Sequence, residues 1–194
     1  VYDGTTTFNA KRINDIFKDK KCNYTVMHDG GLGYSQNDSS VPATWKIDLS
    51  KEDWFAFEDN FGTSEEKAFI AYFKSFVPEL KRKYDKVFLL RNERQLHIYS
   101  FNGGERFEPD YVLFLHSNKE SGYEQLQVFI EPKGTHLLEK DSWKEKFLLE
   151  IEDKAVATKI FVDDNNYRIW GFHFYNEARR MTEFATDMSL SLIH

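Results

Sequence analysis

Three charged side chains stand at the ends of two apolar runs. Asp110 precedes the run at 111–115, and Glu131 and Lys133 follow the run at 126–130. Asp, Glu and Lys are uncommon in strands, so a chemical role could explain their presence at these positions. If the two runs pair as an antiparallel hairpin, opposed residues have numbers that sum to about 241, and Asp110 faces Glu131. The pattern therefore predicts two carboxylates side by side.

A divalent cation would turn the repulsion between these carboxylates into binding. Directly opposed residues have β-carbons about 5 Å apart, where like charges destabilise the pair. Pro132 cannot donate a ladder hydrogen bond and suits a strand end, and its carbonyl oxygen stays free as a neutral ligand. Oxygen ligands from Asp110, Glu131 and Pro132 suit Mg²⁺. The residues alone do not choose between Mg²⁺ and Mn²⁺.

Lys133 adds an ammonium group to this predicted metal site. The period of two along a strand places Glu131 and Lys133 on the same face. Two carboxylates, a hard cation and a lysine are typical of metal-assisted attack of water on a phosphodiester, in which the lysine orients the water or helps to deprotonate it. The predicted substrate is nucleic acid. A plain alternative is that Asp110 caps a turn and Lys133 pairs with Glu131 at a solvated strand end.

The elements that must position these residues follow a mixed α/β order. A helical stripe with apolar side chains three and four residues apart starts near Thr63, and Pro78 is expected to bend or restart this helix. Beyond it, the sequence predicts strands at 86–90, 96–101, 111–115 and 126–130, a second helix from Asp141 or Ser142, and a last strand at 167–175. We therefore expect a small central mixed sheet flanked by helices.

The first helix carries two further acidic residues, Glu65 and Glu66. Glu66 stands three residues after Thr63, as in a capping box that starts a helix and needs no catalysis. Glu66 also lies on the apolar stripe, which favours an inward position and a functional role. The sequence leaves open whether Glu65 or Glu66 is the inward carboxylate.

Composition limits the class of protein. The 194 residues include 18 Phe, 10 Tyr and 4 Trp, enough large rings for a folded domain with a sizeable core. The single cysteine, Cys22, excludes an internal disulfide and a cysteine-based metal site. No apolar run approaches the roughly 20 residues that cross a bilayer, so we expect a cytoplasmic protein with no membrane partner.

The formal net charge of −6 argues against phosphate binding by the whole surface. A local basic run, residues 81–83, is typical of a solvated helix end and, as an alternative, of a contact with DNA. Residues 1–60 show no long period, because glycine-rich turns and Pro42 interrupt them. We expect residues 1–60 to form an irregular lobe or linker packed on the core, and residues 61–194 to form the domain that carries the predicted site.

The charged residues at the strand ends also carry a resemblance. FEPD at 107–110, followed 21 residues after its Asp by EPK at 131–133, is similar to the PD-(D/E)xK nuclease motif. A longer string resembles the C-terminal endonuclease region of type III restriction enzyme Res subunits over about residues 60–175. That string includes NFGTSEEKAF, RNE at 91–93, ERFEPDYVLFL, QVFIEPKG and DSWKEKFL.

The resemblance implies a PD-(D/E)xK restriction-endonuclease-like fold and a magnesium-dependent DNA endonuclease acting on double-stranded DNA. By motif position, Asp110 and Glu131 would bind the metal, the Pro132 carbonyl would complete the inner shell, and Lys133 would act on the water. Glu66 would be a further catalytic carboxylate.

In the resembled family this region follows an ATP-driven helicase-type motor and works with a modification methyltransferase subunit. The present chain has no GxxxxGK[ST] phosphate loop and starts at Val1. We therefore expect a nuclease piece of a larger protein, with ATP used only by a motor that this chain lacks. Two other functions stay open: a non-catalytic DNA- or partner-docking domain of the same fold, and a stand-alone repair or junction nuclease.

Overall fold

A four-stranded mixed sheet forms the centre of the structure. The computed structural model describes residues 33–94, 96–120, 122–158 and 167–193. Six strands lie in these ranges: β1 (Lys86–Arg91), β2 (Ile98–Tyr99), β3 (Arg106–Phe107), β4 (Tyr111–Lys119), β5 (Gly122–Ile130) and β6 (Tyr167–Gly171). The main sheet has the order β1-β4-β5-β6, with β5 and β6 parallel and the other neighbours antiparallel, while β2 and β3 form a separate pair.

The register of the β4–β5 hairpin confirms the predicted pairing. Tyr111 lies opposite Ile130, and each later pair keeps the same sum of residue numbers. Alternate side chains of these strands enter different cores: Tyr111 and Leu113 belong to one buried cluster, and Val112 belongs to the other. Both faces are covered, which explains why the two strands are continuous apolar runs rather than alternating ones.

Within the described ranges, three α-helices accompany the sheet: α1 (Ser64–Lys83), α2 (Ser142–Thr158) and α3 (Met181–Thr186), the last continued by a π-helical segment at Asp187–Ile193. α1 covers one face of the sheet through Phe69 and Phe73, and α2 covers the other through Phe147 and Leu148. The expected mixed α/β arrangement, a sheet with helices on both sides, is confirmed at this level. Among the helices that the structure describes, none has the length and apolar character required to cross a membrane.

The structure differs from the sequence predictions at three places. α1 does not restart at Pro78, one of the two effects expected of this proline, because it continues to Lys83 with Val77 and Leu80 buried on either side. The run at 96–101 keeps only Ile98 and Tyr99 in a strand, since the Asn92 side chain bonds the backbone of Leu96 and closes a loop there.

The last strand ends at Gly171 instead of residue 175. The backbone of α2 approaches it closely, and a β-carbon on Gly171 would lie 2.4 Å from the Leu148 carbonyl oxygen. The chain then leaves the regular ladder, and Tyr175 returns to it in an isolated parallel bridge with Pro132.

The described part of the predicted N-terminal lobe contains two short 3-10 helices, Ala43–Trp45 and Leu49–Lys51. It follows the free edge of β1, where the Leu89 amide donates to Trp54 and the Leu89 carbonyl accepts from Ala56. Residues 1–32, which include Cys22, lie outside the described residues. The division of the chain at residue 60 stays a prediction.

Candidate active site

The end of the β4–β5 hairpin brings Asp110 and Glu131 together. Asp110 directly precedes β4 and Glu131 directly follows β5, so both lie next to the terminal pair of Tyr111 and Ile130. The Asp110 amide donates to Glu131 Oε2 at 2.9 Å. Glu131 is buried, whereas Asp110 is partly exposed. The Asp110 carbonyl accepts a hydrogen bond from the Asn92 amide, which fixes the backbone before the strand. Among the residues that the structure describes, none donates a hydrogen bond to its carboxylate.

Lys133 is held between two carboxylates. Its Nζ lies 2.7 Å from Glu131 Oε1 and 3.0 Å from Asp141 Oδ2, and 5.7 Å from the centre of the Phe174 ring. The side chain is only 11% exposed. A lysine paired on two sides and packed on an aromatic face has little freedom, so its ammonium group occupies a defined position next to Glu131.

The backbone around Pro132 explains why these side chains keep their places. The Lys133 amide donates to the Tyr175 carbonyl at 2.9 Å, and the Tyr175 amide donates to the Glu131 carbonyl at 3.0 Å. Asn176 Nδ2 donates to the Lys133 carbonyl at 2.8 Å. Pro132, which lacks an amide hydrogen, takes the one position of this bridge that needs no donor. Whether its carbonyl binds a metal stays a prediction.

The electrostatic environment of the two acids is unfavourable for a second negative charge. Burial raises the pKa of the Asp110 carboxyl well above its ordinary value, and the Glu131 and Glu66 carboxylates raise it further. Burial also raises the pKa of Glu131, although the Lys133 ammonium opposes this change. A bound cation would relieve both effects, because it favours the ionised form of each acid.

The pKa of Lys133 changes in the opposite sense to that of an isolated buried lysine. Burial alone would lower it, but the Glu131 and Asp141 carboxylates outweigh burial and raise it above the ordinary value. Burial would likewise raise the pKa of Asp141, yet the hydrogen bonds from Lys133 and Lys144 keep it lowered. At neutral pH, Lys133 is therefore a cation and Asp141 an anion.

Glu66 is the inward carboxylate of the first helix. It is buried, and its Oε2 accepts from Arg91 at 3.1 Å (Nε) and 3.0 Å (Nη2). Arg91 lies opposite Tyr111 on β1, beside the Asp110 position. One half of the capping box forms, since the Glu66 amide donates to Thr63 Oγ1 at 3.4 Å, and the Thr63 hydroxyl in turn donates to Glu66 Oε1 at 3.3 Å. The two interpretations of Glu66, helix start and site residue, are thus compatible.

The side chain of Glu65, also on α1, lies against the loop that follows Lys133. Its Oε1 would lie 3.1 Å from a β-carbon added to Gly134, and the His136 ring would lie closer still. The carboxylate of Glu65 therefore rests against the Gly134 backbone rather than beside Asp110 and Glu131.

The donor set fits a hard cation that keeps part of its water shell. In the described ranges, no group of three or more His, Cys, Asp or Glu side chains has an arrangement that could hold a metal ion. Asp110 and Glu131 supply two carboxylates, and Pro132 supplies one carbonyl. Magnesium is commonly bound by one or two carboxylates and several waters, so the two acids could hold it without a third acidic ligand.

Sequence reasoning missed the roles of Asp141, Lys144 and Arg91. Asp141 was expected only as a possible start of α2, yet its side chain contacts Lys133 and, at 3.2 Å, Lys144 Nζ. The spacing of Asp141 and Lys144 is typical of a helix-surface ion pair, and nothing in it indicates the contact with Lys133. Arg91 appeared only as part of the RNE string, although opposite charges on α1 and β1 could have suggested its pairing with Glu66.

Comparisons with known proteins place the chain in a protein family. Residues 2–191 match the family HI_1054_C, described as a C-terminal domain. An uncharacterised protein from Haemophilus influenzae is 32% identical over 184 residues, which cover 91% of this chain and 37% of that protein. The chain thus spans little more than a third of the length of this relative. No solved structure matches the chain.

Proposed function

The chain belongs to the HI_1054_C C-terminal domain family, and we propose that it is a magnesium-dependent DNA endonuclease domain with the PD-(D/E)xK fold. One observation carries the proposal: Asp110, Glu131 and Lys133 meet at the end of one hairpin, with Lys133 Nζ 2.7 Å from Glu131. Two of these charged side chains, Glu131 and Lys133, are also buried, and buried charged groups with perturbed pKa values are common at functional sites.

The residues divide the work of phosphodiester hydrolysis. Mg²⁺ or Mn²⁺, held by Asp110, Glu131 and the Pro132 carbonyl, would neutralise charge on the phosphate and lower the pKa of a bound water. Because the pKa of Lys133 is raised, its ammonium orients the attacking water or the phosphate by donating hydrogen bonds, and is poorly suited to act as a base. Glu66, fixed by Arg91, adds negative potential next to Asp110.

The sequence resemblance supports a more specific assignment, the nuclease part of a type III restriction enzyme Res subunit in the cytoplasm. In that assignment, ATP is used by a helicase-type motor outside this chain, and a modification methyltransferase subunit selects the site on double-stranded DNA. The mixed sheet with a helix on each face is compatible with this fold.

A second function, a non-catalytic DNA- or partner-docking domain, has one observation in its favour. Both oxygens of Glu131 already have protein donors, Lys133 on one side and the Asp110 amide on the other. If Lys133 served only to connect the hairpin to α2 through Asp141, Glu131 would have the same hydrogen-bond donors. It would not explain why the Asp110 carboxylate, whose pKa burial raises, has no hydrogen-bond donor among the described residues.

Cleavage of supercoiled plasmid tests the nuclease proposal. The domain at high concentration is incubated with Mg²⁺ or Mn²⁺, beside Asp110→Ala and Lys133→Ala variants and a control, Lys119→Ala, whose side chain is 52% exposed near the turn of the β4–β5 hairpin. We expect metal-dependent nicking by the wild type and the control, and a loss of about 10²-fold or more in both site variants. Activity that survives in a folded site variant would contradict the assignment, and metal-independent DNA binding without cleavage would favour the docking function.

A further inference from the structure

Asp141 joins a second lysine to the candidate site. Its Oδ2 lies 3.0 Å from Lys133 Nζ and 3.2 Å from Lys144 Nζ, so one oxygen contacts two ammonium groups. Lys144 Nζ also lies 5.6 Å from the centre of the Phe107 ring and 5.9 Å from that of Trp143. One carboxylate and two aromatic rings therefore surround the ammonium of Lys144 and favour this position. The side chain remains 24% exposed, so a ligand can reach it.

The charges show why a second lysine is present. Lys133 is shared between Glu131 and Asp141, so it cannot balance both carboxylates, and Lys144 supplies the second positive charge of the cluster. Lys144 is close enough to Glu131 to lower the pKa of that carboxyl. The formal charges of Asp110, Glu131, Asp141, Lys133 and Lys144 sum to −1, which a divalent cation changes to +1. One phosphodiester, with its single negative charge, would make the loaded site neutral.

We propose that Lys144 binds a backbone phosphate of the DNA next to the bond that is cleaved, and that Asp141 is the positioning residue for Lys144 and Lys133. This inference rests on the proposed nuclease function. The substrate phosphate would approach Lys144 from its exposed side, while Asp141 retains its contact with Lys133. An ordinary ion pair at the start of a helix would stabilise α2 but would have no effect on DNA binding.

Lys146 provides a matched control for Lys144. It belongs to the same helix, is two residues away, and is exposed rather than directed at Asp141. Lys144→Gln and Lys146→Gln remove the same charge from the same segment. Any difference between them in DNA binding reports the position of the charge and not the net charge of the domain.

The experiment measures binding of a fluorescent DNA duplex by the domain with Ca²⁺ in place of Mg²⁺ over a series of salt concentrations, so that a hard divalent cation is present, and gel electrophoresis checks that the duplex remains uncut. For Lys144→Gln we expect about fivefold weaker binding and a salt slope smaller by about one unit, as for loss of one phosphate contact. Lys146→Gln should stay within about twofold of the wild type and keep its slope. Equal behaviour of the two variants would overturn the inference.

A double-mutant cycle tests the role of Asp141. If Asp141 positions Lys144, the fivefold effect of Lys144→Gln should shrink to less than about twofold in an Asp141→Asn background, with all variants folded by circular dichroism. An undiminished effect in that background would refute the positioning role. Absence of DNA binding by the wild-type domain would overturn the proposed function as well, whereas failure of this inference alone leaves wild-type binding intact.

Discussion

The two ends of the central sheet carry charge in opposite ways. Where β4 starts and β5 ends, Lys133 and Glu131 form an ion pair whose side chains are 11% and 3% exposed. At the other end, where β1 starts, an open cleft of about 840 Å³ is lined by the basic run at 81–83. There, Lys81 pairs with Asp53, and these side chains are 42% and 76% exposed. The cleft is more basic than the candidate site, yet its charges remain in water.

The difference teaches that burial of charge, rather than its amount, marks the candidate site. An exposed ion pair contributes about 0–1 kcal/mol and needs no special surroundings. Buried ions lose their hydration, and they persist only where other groups compensate for that loss. Lys133 has such compensation from Glu131, Asp141 and the Phe174 ring. Buried charge of this kind is common at functional sites, which is why we place the proposed active site at this end of the sheet.

The largest expected effect comes from removing the buried cation. Lys133→Met leaves Glu131 without its charged partner in a buried position, and we expect the free energy of unfolding at pH 7 to fall by about 3 kcal/mol. Lys81→Met at the cleft removes an exposed partner of Asp53 and should change it by less than about 0.5 kcal/mol. Urea denaturation of both variants measures the difference. Equal losses of unfolding free energy in the two variants would contradict the claim that the Lys133 ion pair contributes more than the exposed Lys81 pair.

A smaller effect, of opposite sign, is expected for Asp110→Asn. The folded protein raises the pKa of Asp110 above its ordinary value of 3.8, so the folded state binds more protons than the unfolded state between the two pKa values. Stability is therefore lost as the pH rises through that window. Above it, Asp110→Asn should be more stable than the wild type by on the order of 1 kcal/mol.

The measurement is urea denaturation in EDTA at several pH values from 4 to 8. The advantage of Asp110→Asn should grow with pH and then level off. Asp53→Asn, at the exposed end, provides the control and should show no such growth. A wild type that gains stability relative to Asp110→Asn as the pH rises would contradict the raised pKa.

Much of the sheet could be predicted from the sequence, because both runs of the hairpin are apolar throughout and the charges at their ends mark the register. A one-residue slip would move Tyr111 and Leu113 to the wrong core, so the pairing sum was well determined. The failures have tertiary causes. Pro78 stays within α1 because Val77 and Leu80 bind the helix to the core, and the contact of Leu148 with Gly171 sets the end of β6. Neither contact has a local signal.

In the candidate site, too, the residues placed by local strand pairing could be predicted, and those placed by tertiary packing could not. Asp110, Glu131 and Lys133 were accessible because they lie within one short stretch whose pairing could be derived. Glu65 and Glu66 were not distinguished, since a helical period cannot separate neighbours, and Arg91 on another element makes the choice. Asp141 was recognised only as a helix start because its contact with Lys133 depends on how α2 packs against the sheet.

Calorimetric titration with Mn²⁺ tests the central claim, that the two acids at the hairpin end form a metal site, most directly. It needs neither DNA nor a motor, and Asp53→Asn removes an equal charge at the opposite end of the sheet. The account predicts one Mn²⁺ site in the wild type and in Asp53→Asn, weakened by at least about tenfold in Asp110→Asn. Binding to Asp110→Asn with the affinity of the wild type, or no binding by the wild type, would contradict it.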